Sequence, residues 1–62
     1  MNVDNIVKEI LELKVGKKDE YYDNLYNKVQ NILNGEYSEK DKQKIKNTGR
    51  IGTLYMLSSY SM

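Results

Sequence analysis

The sequence predicts an all-α fold: a helical hairpin over about residues 3–15 and 19–34, followed by a third, C-terminal helix over about 39–60. Three observations predict it. Apolar residues recur at three- and four-residue spacings in two separate stretches, which puts each set on one helix face. Glycine closes each stretch and Ser38 opens the next. The chain has 62 residues and no proline, so one small domain spanning 1–62 is expected, with nothing to interrupt its helices.

In the first helix the apolar positions are Val3, Ile6, Val7, Ile10, Leu11 and Leu13. Asn2 is the expected N-cap, with Met1 placed to staple onto Ile6. Asp4 in the first turn and Lys14 in the last suit the helix dipole, and Gly16 is the expected stop. Lys17 and Lys18 make a short connection. Asp19 then reads as the cap of a second helix whose apolar face is Tyr22, Leu25, Tyr26, Val29, Ile32 and Leu33, ended by Asn34-Gly35. Two amphipathic helices joined this closely are expected to pack antiparallel.

Ser38 with Asp41 three residues on is a capping-box variant. The third segment that follows is polar in its first half, with Ile45 as its one large apolar residue, and apolar in its second. A kink between Gly49 and Gly52 fits this change of character. The alternative is a turn at Asn47-Thr48-Gly49 followed by a strand to Tyr60. A lone strand has no partner within this chain, which favours helix.

Composition narrows the function classes. The chain has no Cys and no His, so a disulfide staple and a Cys/His zinc site are excluded. No cofactor or metal is expected. The same absence removes the commonest general base and the strongest nucleophile, and no enzyme is expected. The acids Glu9 and Glu12, and Asp19, Glu20 and Asp23, read as solvated faces and dipole partners. No stretch approaches the roughly 20 apolar residues that span a bilayer, and the start lacks a signal-peptide pattern. A cytoplasmic protein without a membrane partner is expected.

Net charge is +1, but it is unevenly placed. Residues 1–37 carry five Lys against seven acids, a balance of −2, and residues 38–62 carry five cations against two acids, a balance of +3. Lys42, Lys46 and Arg50 are spaced to form one stripe on a continuous helix. Such a stripe suits phosphate, and Tyr55 offers an aromatic face on which a nucleotide-like ligand can stack. These four residues are the candidate ligand site, with a solvated face as the alternative. Duplex DNA is not expected as a partner, because the segment after Gly35 has too few base-reading side chains such as Asn, Gln and Arg on one face.

Ile51, Leu54, Tyr55, Met56, Leu57 and Tyr60 point in nearly every direction on a helix. A helix apolar all round is normally buried all round, and so short a chain has little to cover it with. These six residues are therefore the candidate interface, and a homo-oligomer is expected. In style, a tiny helical chain rich in Lys and acids, it is similar to accessory proteins of bacterial viruses and mobile elements. The first expectation is a helical interaction module that self-associates through residues 51–60 and acts as a stoichiometric inhibitor or adaptor of a partner macromolecule. The second expectation is an oligomeric binder of an anionic small molecule, and the third a nucleic-acid binder.

Overall fold

A computed structural model describes residues 2–58, and these form four α-helices with no strand among them. The first, α1 (Val3–Leu11), starts as expected: the Asn2 side chain accepts a hydrogen bond from the Asp4 N–H at 2.9 Å. Val3, Ile6 and Ile10 are buried. Met1 and its staple lie outside the described residues.

Helix α1 ends earlier than the periodicity predicts. Leu11 is its last residue, and the Leu13 N–H turns back to the Ile10 carbonyl at 3.2 Å. The chain then leaves the helix while keeping Leu13 in the core. The carbonyl of Lys14 and the N–H of Lys17 are satisfied by one side chain, the Tyr22 hydroxyl, which donates to the first at 2.6 Å and accepts from the second at 3.1 Å. Tyr21 adds a longer contact, its hydroxyl oxygen accepting from the Lys14 N–H at 3.5 Å. Two tyrosines thus stand in for the last helical turn. Lys14 lies outside α1 for this reason. Gly16 serves the connection instead of the helix end: its φ of +78° is in the left-handed region that side chains disfavour.

Helix α2 (Asp19–Leu33) begins one residue earlier than a cap at Asp19 implies. Lys18 occupies the N-cap and makes no side-chain cap, so Asp19 and Glu20 act on the dipole of the first turn. Tyr22, Leu25, Val29 and Ile32 are buried at spacings of three and four, as read from the sequence. After the helix, a side chain at Gly35 would meet the Asn31 carbonyl oxygen at 2.5 Å, so the chain turns where only glycine fits.

The single third helix resolves into two. Helix α3 (Glu39–Lys46) is capped by Ser38, whose Oγ accepts from the Asp41 N–H at 3.2 Å, and buries only Ile45. It stops because Thr48 closes it. The Thr48 hydroxyl donates to the Lys44 carbonyl at 2.8 Å, its N–H bonds the Ile45 carbonyl at 3.2 Å, and its own carbonyl receives the Ile51 N–H at 3.2 Å. Thr48 is buried while doing so. Residues 47–50 are thus a break, not a kink, and a separate helix α4 (Ile51–Leu57) follows with Leu54 buried.

Helix α2 packs against all three other helices, and α1 also packs against α3. Lys44 reaches Asp4 across the α1–α3 contact at 3.3 Å. On the other side, the Tyr26 and Tyr55 rings meet edge to face with centroids 5.4 Å apart, and the Gln30 amide donates to the Tyr55 hydroxyl at 3.3 Å. Every helix contributes at least one side chain with no solvent exposure: Ile10, Val29 and Ile32, Ile45, and Leu54. No helix among the described residues is long and apolar enough to cross a membrane.

Candidate functional site

The break after α3 takes apart the stripe expected from Lys42, Lys46 and Arg50. Lys42 and Lys46 remain one turn apart on α3, the first half-buried and the second exposed. Arg50 lies beyond the helix, and its guanidinium donates to the Leu13 carbonyl at 3.5 Å, at the α1–α2 connection. Tyr55 is engaged on both its ring and its hydroxyl by α2. The continuous helix that would have aligned the three cations is absent, and Tyr55 presents a half-buried ring already packed on another.

The six apolar residues of the candidate interface divide as well. Leu54 has no exposure and belongs to the core of its own chain. Ile51, Tyr55 and Leu57 are half-buried and pack against that core. Met56 is 82% exposed, and Tyr60 lies outside the described residues. The all-round apolar character of this segment is absorbed because the turn at 47–50 lays α4 against α2. Ser58 is buried at its end, its hydroxyl donating to the Tyr55 carbonyl at 3.4 Å.

Among the described residues, three large apolar side chains remain in solvent: Leu11 at 52%, Val15 at 74% and Met56 at 82% exposure. Leu11 lies one turn from the half-buried Val7 on the same face of α1, so an apolar edge runs down this helix toward the connection that holds Val15. The sequence placed Leu11 on the buried face. It is exposed because α1 turns Ile6 and Ile10 to the centre, and Leu11 falls about 100° away from Ile10 on the helix circumference.

Between α1 and α2 an open cleft of about 290 Å3 is lined by Glu9, Glu12, Lys14, Tyr21, Asn24, Leu25 and Lys28. Glu9 and Lys28 pair across it at 3.5 Å. Its two acids and two lysines balance, so its charge selects neither an anion nor a cation. Its volume lies at the bottom of the range for small-molecule sites. Among the described residues, no group of three or more acidic side chains is placed to hold a metal ion.

The outer face of α3 is a second exposed surface, within the basic stretch Lys40–Lys46 that the sequence shows. Lys40, Gln43 and Asn47 are exposed opposite the buried Ile45, with Lys44 and Lys46 exposed on either flank. The signal was present in the spacing of these residues around Ile45. It was obscured by grouping the lysines with Arg50 along a helix that does not continue. No protein-family model, no curated protein and no solved structure matches the chain.

Proposed function

We propose that this protein is a non-enzymatic helical binding module that acts stoichiometrically on a protein partner. The observation that carries this reading is the large apolar side chains left outside the core among the described residues: Leu11, Val15 and Met56, each more than half exposed. Leaving such side chains in water forgoes roughly 1.5–3 kcal/mol each relative to full burial, a gain that contact with a partner recovers in part. The lack of His and Cys supports binding over turnover. Self-association rests on the same three residues, now that Leu54 is accounted for within the chain. A phosphate-bearing small ligand is the less favoured reading, because Arg50 is separated from Lys42 and Lys46 by the helix break.

The test is a combined Leu11→Ser, Val15→Ser, Met56→Ser variant, compared with the unmutated chain by sedimentation equilibrium and by cross-linked capture from a lysate of the source cells. All three positions are exposed, so circular dichroism is expected to be unchanged. Loss of a dimer, or of a specific captured protein, by the variant alone supports the proposal. A monomeric chain that captures the same proteins with and without these side chains refutes it.

A further inference from the structure

The outer face of α3 carries an inference that goes beyond the proposed protein contact and rests on different residues. Glu39–Lys46 with residues 47–50 hold five cations, Lys40, Lys42, Lys44, Lys46 and Arg50, against two acids, Glu39 and Asp41. The +3 balance of the C-terminal part of a chain with net charge +1 is thus concentrated in 12 residues. Most of this charge is on one short helix that uses a single buried residue, Ile45, to rest on both α1 and α2. The rest of the helix faces outward. Asp41 and Lys42 are half-buried at the sides, whereas Lys40, Gln43 and Asn47 form the crest.

The order of chemistry across that face is specific. Two amide side chains and a lysine occupy the crest, and a lysine stands on each flank. Amides make paired hydrogen bonds to the edge of adenine, and lysines on either side reach phosphates. An α-helix with its side chains fits the roughly 12 Å major groove of B-form DNA, whereas the A-form groove of duplex RNA does not admit one. Glu39 is the one acid exposed on α3, at its first turn, where it also serves the helix dipole.

We propose that α3 is a contact helix for the major groove of duplex DNA, with Gln43 and Asn47 toward the base edges and Lys40, Lys44 and Lys46 toward the phosphates. The sequence alone disfavours duplex DNA; the end of α3 at Lys46 and the burial of Ile45 set Gln43 and Asn47 beside Lys40 on one exposed face and change that expectation. Lys44 gives up its contact with Asp4 on binding. Both partners of that pair are exposed, and such pairs hold weakly.

The experiment is fluorescence anisotropy with the full chain and labelled duplex DNA of mixed sequence, titrated at 50 and at 200 mM salt. Three phosphate contacts predict binding roughly 40-fold weaker at the higher salt, from a slope of about −0.9 per contact. The triple variant Lys40→Gln, Lys44→Gln, Lys46→Gln is expected to lose this salt dependence together with most of the affinity. Measured also on one A·T-rich and one G·C-rich duplex, the pair Gln43→Ala, Asn47→Ala is expected to keep the salt dependence and lose the preference of the unmutated chain for the A·T-rich one. Chemical-shift changes on the unmutated protein upon adding DNA are expected to centre on α3, a readout that does not depend on any variant folding. No binding to about 100 µM protein at 50 mM salt overturns the proposal. So does equal binding to single strands or duplex RNA, or a set of shift changes lying elsewhere. The Leu11, Val15 and Met56 variant is expected to bind DNA unchanged, so failure here leaves the protein-contact reading to its own test.

Discussion

The hydroxyl of Tyr22 donates to the carbonyl oxygen of Lys14 at 2.6 Å, eight residues back along the chain, and accepts the N–H of Lys17 at 3.1 Å. The ring that carries it is 3% exposed. One side chain therefore fills the core beneath α1 and α2 and fixes the loop between them. Tyr22→Phe keeps the ring and removes the bridge. The expected loss is about 1–2 kcal/mol, near the usual value for a hydrogen bond whose partners stay in place. At about 4–8 °C per kcal/mol for a domain of this size, thermal melting reads it directly. An unchanged melting temperature means the loop is held by other contacts.

Ile10, Leu25 and Ile45 test the core. Each is buried in a different helix, and truncation to Ala is expected to cost about 2–5 kcal/mol. Leu11→Ala, beside Ile10 but exposed, is the matched control and is expected to stay within about 0.5 kcal/mol. Denaturant titration of the four variants distinguishes them. Equal effects for Ile10 and Leu11 place α1 in the wrong rotation.

Leu54 and Met56 test α4. Leu54→Asp puts a charge into a fully buried position and is expected to unfold the chain, seen as loss of helical circular dichroism. Met56→Asp is expected to leave the fold intact and to change only association, seen by sedimentation. Leu54→Asp yielding a folded monomer from an oligomer restores the interface that the sequence first suggested.

How much of this was legible beforehand differs by element. The caps at Asn2 and Ser38 and the buried positions of α2 followed from residue type and spacing alone, because local hydrogen bonds and a single apolar face determine them. The end of α1 did not. Tyr22 competes for backbone groups of residues 14 and 17, and that competition appears only once α2 is docked. The break at 47–50 was half visible in Asn47-Thr48-Gly49, but its closure by the Thr48 hydroxyl is a tertiary detail, as is the rotation that exposes Leu11. At the candidate sites, the lysines of α3 were legible and their grouping was not. Grouping depends on where the helix stops.

Two glycines are expected to respond to Ala in opposite directions. At Gly16, with its positive φ and nothing within 4 Å of a new side chain, the penalty is backbone strain of roughly 1 kcal/mol. At Gly52, inside α4 with open space around it, Gly52→Ala is expected to stabilise by roughly 0.5–1 kcal/mol through helix propensity and reduced unfolded-state entropy. Paired melting curves check the signs. A loss at Gly52 shows that something approaches α4 closely there.

Two ion pairs between helices among the described residues are expected to add little salt dependence to folding. Lys28 with Glu9 at 3.5 Å is partly exposed and Lys44 with Asp4 at 3.3 Å more so, and such pairs contribute about 0–1 kcal/mol. Raising NaCl from about 0.1 to about 1 M shortens the screening length to about 3 Å and is expected to leave the midpoint of urea unfolding nearly unchanged. A large shift points to charge interactions beyond these two contacts.

That each helix holds a side chain with no exposure bears on how the molecule opens. Swinging α4 away uncovers Leu54 together with the α2 surface it covers, and peeling off α3 does the same for Ile45. Helices α1, α2 and α3 each pack on the other two, whereas α4 packs chiefly on α2, so α4 is the segment that can leave while the others keep their contacts. The slowest amide hydrogens of α1, α2 and α3 are therefore expected to exchange through a common opening, and those of the seven-residue α4 to exchange ahead of them.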